Sequence, residues 1–365
     1  MLGFIAIIQS VLFGAHWFVY RTWSEFRGGP DPSPNTGLWA LLALLSVSFV
    51  TATLLAFRYS NFPARSFYTV AAVWAGFLNF FLLAACLCWT VYLGAWLLGM
   101  HPSRPSLAAA VFGLAALASV YGLINARLIR AKRIKVEIPN IPPSWRGRVA
   151  AVVSDVHLGH VNGHGFMRRI IRRLDRLRPD IVFITGDLFD GTKVNARHLA
   201  TPWKQLSPAF GTYFVTGNHE EFADPTQYLN ALSSAGVRVL TNEAVTIDGV
   251  DILGVRYGDS VKPERLRPIL QRVRLDRGRP SILLAHAPHQ LAVAESEGIT
   301  LQLSGHTHAG QVFPFTWIVR RVFGRYAYGL NRFGRLAVYT SSGAGTWGPP
   351  MRVGARPEIA LIEFG

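Results

Sequence analysis

Apolar residues run almost unbroken through the first 126 positions and then break into short segments of a different period. Four long runs stand out: Met1–Tyr20, Gly37–Phe57, Phe67–Leu98 and Ser106–Ala126. Each reaches the roughly 20 residues that a helix needs to cross a hydrocarbon core. The third is longer than that, which predicts tilt or extension into the interface. Trp17, Trp23, Tyr59, Tyr68 and Trp96 lie near the ends of the runs, where amphipathic rings favour the headgroup zone. The stretch Gly28-Gly29-Pro30-Asp31-Pro32-Ser33-Pro34-Asn35 reads as a loop. No Asp, Glu, Lys or Arg interrupts a run, and His16 is the one strongly titratable group inside them. They therefore read as an anchor, not a transport pathway. The first run has no basic flank before it and three more runs after it, so it is expected to be a retained span and not a cleaved leader.

Past Arg127 the pattern becomes that of a strand–helix alternation. Val149–Ser154 is a short apolar, β-branched run, and Gly165–Leu177 follows with Ile170, Ile171, Leu174 and Leu177 at helical spacing. Further strands are predicted at Ile181–Thr185, Tyr213–Thr216, Asp251–Val255, Ser281–Ala285, Thr300–Ser304 and Leu336–Thr340. Such alternation implies an α/β sheet with its site at the strand ends. The expected organisation is a four-helix transmembrane anchor over 1–126, a basic juxtamembrane linker over 127–148, and a catalytic domain over 149–365.

Charge sharpens this division. Five of the 37 Lys/Arg and two of the 21 Asp/Glu lie before Arg127, leaving a surplus of thirteen cations beyond it. A basic surface suits anionic lipid or nucleic acid, and the apolar runs make lipid the more natural partner. Arg127, Arg130, Lys132, Arg133 and Lys135 form the densest juxtamembrane cluster, so the positive-inside rule places the catalytic domain of a multi-pass protein in the cytoplasm. Cys86 and Cys88 both fall in an apolar run, which excludes a disulfide framework or thiolate metal site in the second part.

Five polar clusters then appear in order: Ser154-Asp155-Val156-His157, Gly186-Asp187-Leu188-Phe189-Asp190, Gly217-Asn218-His219-Glu220, Ala285-His286-Ala287 and Gly305-His306-Thr307-His308. Most follow an apolar run, as the ligands of a binuclear metal site do when several strand ends supply them. Carboxylate, imidazole and amide donors without thiolate suit Mn²⁺, Fe or Zn²⁺. Gly186, Gly217 and Gly305 precede ligands where the strand must turn, and a positive φ is expected at each.

This order of D-x-H, G-D-x-x-D, G-N-H-D/E, H and G-H-x-H resembles the calcineurin-like metallophosphoesterase superfamily over about residues 149–365. The tail, Tyr339-Thr340-Ser341-Ser342-Gly343-Ala344-Gly345 and then Arg352 and Pro357-Glu358-Ile359, is similar to a branch of membrane-associated phosphodiesterases and transmembrane proteins with a metallophosphoesterase domain. The resemblance implies a four-layer αββα sandwich holding two divalent metal ions. It implies Asp155, His157 and His308 on one ion, Asn218, His286 and His306 on the other, and Asp187 between them. It further implies that His219 serves the leaving group, with Asp190 accepting its second N–H.

The expected activity is that of a membrane-anchored, dinuclear metal-dependent phosphoesterase acting on a phosphomonoester, phosphodiester or pyrophosphate bond of a membrane lipid or lipid-linked substrate. Hydrolysis of a nucleotide-linked lipid precursor of the UDP-diacylglucosamine type is one alternative. A nuclease or cyclic-nucleotide phosphodiesterase is another, although no specific nucleic-acid partner is expected for an anchored protein. A non-catalytic scaffold would be expected to lose ligands that are all present here. Oligomeric state is not legible. His160, His164, His198 and His289 read as structural, with His160 and His164 also placed to line a substrate entrance. The face bearing Arg168, Arg169, Arg172, Arg173 and Arg176 reads as solvated helix surface or as a contact for anionic headgroups. Val312–Tyr328 interleaves aromatics with Arg320, Arg321 and Arg325, as core packing or a lipid-contacting flap would.

Overall fold

The computed structural model describes residues 2–27, 35–273, 275–276 and 278–365. The loop expected at Gly28–Asn35 falls outside these residues except for Asn35. The chain divides into two compact units: 1–124 with 348–353, and 125–347 with 354–365.

Four helices build the first unit: α1 (Leu2–Phe26), α2 (Thr36–Arg58), α3 (Phe62–Leu97) and α4 (Arg104–Asn125). The last three are long and apolar enough to cross a membrane by length and composition. Asn35 and Asn61 cap α2 and α3, each side-chain oxygen accepting an N–H of the first turn. The helices turn small residues inward, among them Ala52, Ala56, Ala71, Ala72 and Ala85, while Leu44, Val70 and Leu97 are exposed. Small faces let helix backbones approach closely where outward apolar surface gains nothing from burial. Polar side chains inside are paired: Trp74 Nε1 donates to His16 Nε2 at 2.8 Å and Trp89 Nε1 to Thr22 Oγ1 at 3.0 Å.

The second unit holds two six-stranded sheets. The first comprises β1 (Arg130–Val136), β2 (Val149–Val153), β3 (Ile181–Thr185), β4 (Thr212–Val215), β5 (Arg238–Val239) and β12 (Glu358–Phe364), in the order β1-β12-β2-β3-β4-β5. The second comprises β6 (Glu243–Ile247), β7 (Val250–Gly254), β8 (Ser281–Leu284), β9 (Leu301–Ser304), β10 (Gly329–Phe333) and β11 (Leu336–Thr340), in the order β10-β11-β9-β8-β7-β6. Strands β2 to β5 run parallel, as do β7, β8, β9 and β11. Their near-continuous apolar runs match strands buried on both faces.

Among the described residues, three clusters carry the core of this unit. Ala150, Val152, Ile181 and Phe183 of the first sheet share one with Ile252, Ile282, Leu303 and Tyr339 of the second. The other face of the first sheet packs on α5 (His164–Leu177), α6 (Ala196–Ala200) and α7 (Thr226–Ser233) through Met167, Ile170, Leu199 and Leu232. The other face of the second packs on α9 (Pro263–Arg272) and α10 (Leu291–Ser296), which follow the short α8 (Tyr257–Ser260), through Leu266, Leu270 and Ala294.

The stretch expected as a linker over 127–148 differs. Its first part is strand β1, paired in parallel with β12 from Arg130 opposite Glu358 to Val136 opposite Phe364. Arg130, Lys132, Ile134 and Val136 share the half-buried to buried face of this edge strand, while Ala131, Arg133 and Lys135 on the other face are exposed.

Candidate metal centre

Parallel strands deliver the polar clusters to one end of the two sheets. Asp155 and His157 follow β2, Asp187 follows β3, and Asn218 and His219 follow β4. His286 follows β8, and His306 and His308 follow β9. The turns are tight: Asp155, His157, Asp187 and His308 each have φ of 50°, and His306 has φ of 70°. Left-handed backbone at non-glycine residues is costly and persists where the surroundings over-determine it.

The glycines contribute otherwise than expected. Gly186 has φ of 86°, but Gly217 and Gly305 do not enter the left-handed region. They are needed for space, since a Cβ at Gly217 would meet Asp187 and one at Gly305 would meet Ser154 and Asp155. Strain sits in the candidate donors, and the glycines let the turns approach.

The expected residues fall into two adjoining groups. In one, His157 Nε2 is 3.0 Å from His308 Nε2, which is 3.4 Å from Asp155 Oδ1. In the other, Asn218 Oδ1 is 2.9 Å from His306 Nδ1 and 3.2 Å from His286 Nε2. His286 Nε2 is also 3.2 Å from His306 Nδ1 and from Asp187 Oδ2. Asp187 Oδ2 lies 3.9 Å from His157 Nε2, between the groups. Donors about 2.1 Å from one ion stand about 3.0 Å apart at right angles and about 3.4 Å apart at the tetrahedral angle. The observed spacings match, and the donors are the hard-to-borderline set that divalent Mn, Fe or Zn accepts.

The surrounding bonds set which ring nitrogen faces inward. The Thr185 carbonyl can only accept, so His286 Nδ1 donates to it at 2.7 Å and Nε2 is turned to the cluster. Glu220, fully buried, accepts the main-chain N–H of Asp187 at 2.9 Å, of Phe189 at 2.8 Å and of Gly217 at 2.8 Å. It ties the Asp187 turn to the Asn218 turn. The sequence marked Glu220 as an acidic match to a motif, without this role.

Burial and crowding shape the charges of the metal-free cluster. Burial lifts Asp155 to about 6, with the Asp187 carboxylate adding to it against the pull of His286. Burial likewise lifts Glu220 to about 8 and Asp190 to about 7. Asp187 is buried too, yet the imidazoles of His286, His157 and His219 hold it below the usual carboxylate range. His286 is opposed by burial but carried up to about 10 by Asp187 and Asp155. Burial and the charge of His286 press His306 down to about 3. Asp187 and His286 thus form an ion pair whose proton a cation would have to displace.

His219 stands one step out, its Nε2 4.0 Å from Asp187 Oδ2 and its ring lowered from the ordinary imidazole range by burial. Its Nδ1 donates at 2.8 Å to Asp190, but to the main-chain carbonyl and not to the expected carboxylate. The carboxylate bonds Thr192 instead. Orientation of the ring is thereby assigned to the backbone of the Asp187–Asp190 turn. His160 is buried against Thr192 at 3.1 Å, and His164 stacks on His198 at 4.2 Å between centroids, while His289 packs on Phe323.

Three aromatic neighbours carried no motif. Phe222 and Trp347, both exposed, flank the His219 ring at centroid distances of 4.4 and 5.6 Å. Tyr257 lies 5.7 Å from both His286 and His306. Phe222 follows the third cluster by two residues, which was the one available signal; Tyr257 and Trp347 arrive through tertiary folding alone.

Residues 149–310 match the family model for calcineurin-like phosphoesterase. The chain is 35% identical over 269 residues to a transmembrane protein with metallophosphoesterase domain from Danio rerio, covering 68% of this chain and 60% of that one. It is 35% identical over 217 residues to an uncharacterized metallophosphoesterase of Helicobacter pylori (strain J99), covering 58% of each. These matches thus span about three-fifths of either relative's length. A metallophosphoesterase of Aquifex aeolicus is 32% identical over 260 residues, 69% of this chain and 97% of its own length. With strand-end donors at ion-sharing distances, a family model over the stretch that carries them and a relative matched over nearly its whole length, the chain belongs to the calcineurin-like metallophosphoesterases, a family of phosphoric ester hydrolases.

Proposed function

We propose that the protein is a multi-pass membrane phosphoesterase that hydrolyses a phosphomonoester, phosphodiester or pyrophosphate bond in a lipid or lipid-linked substrate at a two-ion centre. The observation that carries the lipid assignment is the apolar rim beside the donors. Phe222 and Trp347 flank His219. Helix α11 (Phe315–Phe323) exposes Phe315, Trp317, Ile318 and Val322 beside Arg320 and Arg321, and its Phe323 lies 6.2 Å from His306. Exposed apolar residues interleaved with arginine suit acyl chains and an anionic head.

Topology supports the same reading. Strand β12 is antiparallel to β2 and parallel to β1. Arg130, four residues after Ala126, therefore enters the first sheet at the end where β2 delivers Asp155. The 25-residue apolar α1, together with the three other apolar helices, supports four spans, and the basic residues from Arg127 to Lys135 support a cytoplasmic catalytic unit. The core shared by the two sheets, with helices on both outer faces, supports the αββα layering.

Asp155, His157 and His308 would hold one ion and Asn218, His286 and His306 the other, with Asp187 between. Such ions neutralise phosphoryl oxygens and lower the pKa of the attacking water. With His219 Nδ1–H committed to the Asp190 carbonyl, a proton delivered to the leaving oxygen comes from Nε2, so the donor is the imidazolium. Burial lowers the ring from its ordinary range, so that this form gives up its proton readily, with the Asp187 carboxylate opposing part of the shift.

The test is a substrate panel on the full chain in detergent with Mn²⁺, Zn²⁺ or chelator: phosphatidate, a phospholipid diester, a lipid-linked pyrophosphate, a nucleotide-linked lipid, a cyclic nucleotide and bis(p-nitrophenyl) phosphate. Metal-dependent turnover of a lipid substrate, abolished in Asp187→Ala, is expected. The triple variant Trp317→Ser, Ile318→Ser, Val322→Ser should lose about tenfold in kcat/KM on lipid and under about twofold on the soluble diester. Equal loss on both, or a preference for the cyclic nucleotide, overturns the lipid assignment; inertness toward every ester overturns the enzymatic one.

A further inference from the structure

Two basic segments of the second unit that are far apart in sequence, neither containing a metal donor, converge on one concavity of about 500 Å³. Arg127 comes from the turn before β1 and Arg130 from its first position, and Arg169, Arg172, Arg173 and Arg176 from one face of α5. The opposite face of α5 is fixed by Met167, Ile170, Ile171 and Leu174 in the core, so the arginine face cannot rotate away. Among the described residues, none of these six arginines is within ion-pair distance of a carboxylate, whereas Arg148, Arg256, Arg265 and Arg267 are. Desolvation and the charge of Arg169 push the Arg127 guanidinium down from its ordinary range. Six like charges gathered without counter-ions make a site that lacks an anion.

The position in the chain selects the anion. Arg127 is two residues past Asn125, the last residue of the apolar helix α4, so its Cα lies within about 7.6 Å of that helix end. Arg130 Nη1 donates to the Asn125 side chain at 3.0 Å, and Leu128, exposed, shares the concavity. Guanidinium forks match phosphate oxygens bidentately. An apolar residue among them, three positions along the chain from the end of a membrane-length helix, matches a phospholipid with its chains in place. We propose that this concavity binds an anionic phospholipid headgroup carrying two phosphodiesters, at a site that shares no residue with the metal centre. The proposal rests on the membrane reading above but not on the hydrolytic one.

The test uses the full chain in micelles of phosphatidylcholine containing either diphosphatidylglycerol or charge-matched phosphatidylglycerol, with lipid retained per protein measured after washing. Diphosphatidylglycerol should be retained about tenfold over phosphatidylcholine. Arg172→Gln/Arg176→Gln should remove that preference, and Arg168→Gln/Arg178→Gln, equal in charge but outside the concavity, should keep it within about twofold. Thermal unfolding should be unchanged in both variants and reports that they fold. Equal loss in both pairs would mean diffuse attraction and overturn the site. Displacement of the lipid by inorganic phosphate, or a preference for duplex DNA, would overturn the assignment to a headgroup. A chain that fails to stay with phosphatidylcholine vesicles at all refutes the membrane reading itself.

Discussion

Gly217→Ala tests whether the site depends on two strand-end turns approaching more closely than any side chain allows. A methyl group on Gly217 meets Asp187 Oδ1, lies 2.5 Å from the Asp187 main-chain nitrogen and 2.8 Å from its Cγ. Ordinary contact begins at 3.4 Å, so the turns must part by about 0.9 Å, a backbone shift that no rotamer change can absorb. The bonds at risk are Gly217 N–H and Asp187 N–H to Glu220, and His219 N–H to Asp187 Oδ1. Overpacking of this kind costs about 1–3 kcal/mol, and a displacement near 1 Å at reacting groups costs about 10²-fold in rate. The assay is kcat/KM on a soluble phosphodiester at saturating Mn²⁺, with metal per chain and thermal unfolding measured on the same samples. Gly165→Ala, where a Cβ has nothing within 4 Å, is the control and should behave as the parent. Activity within about twofold of the parent, with unchanged metal content and melting, would refute the close-approach account.

Because His219 bonds the Asp190 carbonyl, Asp190→Asn should change kcat by less than about threefold; the roughly 10–100-fold loss typical of a deleted orienting partner would return that role to the carboxylate. His219→Ala should lose about 10²–10⁴-fold on substrates with poor leaving groups, much less on nitrophenyl esters, and keep its metal content; equal losses would assign His219 to the metal. In the metal-free protein His286 holds its proton up to about pH 10. Metal binding at neutral pH should therefore release a proton and strengthen as pH rises, by up to about tenfold per unit. Titration calorimetry in buffers of different ionisation enthalpy would show it, and buffer-independent heats would contradict it.

The candidate donor residues and the apolar helices were legible along the chain because each is a local signal. A metal ligand has to follow the strand that carries it, and a membrane-length helix has to be continuous. The α/β alternation was equally local, since buried parallel strands read as apolar runs. What the tertiary structure alone decided depends on partners distant in sequence. The edge strand β1 looked like a tether because its pairing partner β12 is more than 220 residues away. The acceptor for His219 turned out to be a carbonyl, and a carbonyl leaves no trace in residue identity. Left-handed backbone fell on Asp155, His157, Asp187, His306 and His308, and not on Gly217 or Gly305, because the strain is imposed by neighbouring turns. The same holds for the two arginine segments, each an ordinary basic run by itself, whose uncompensated charge meets only where β1 and α5 come together.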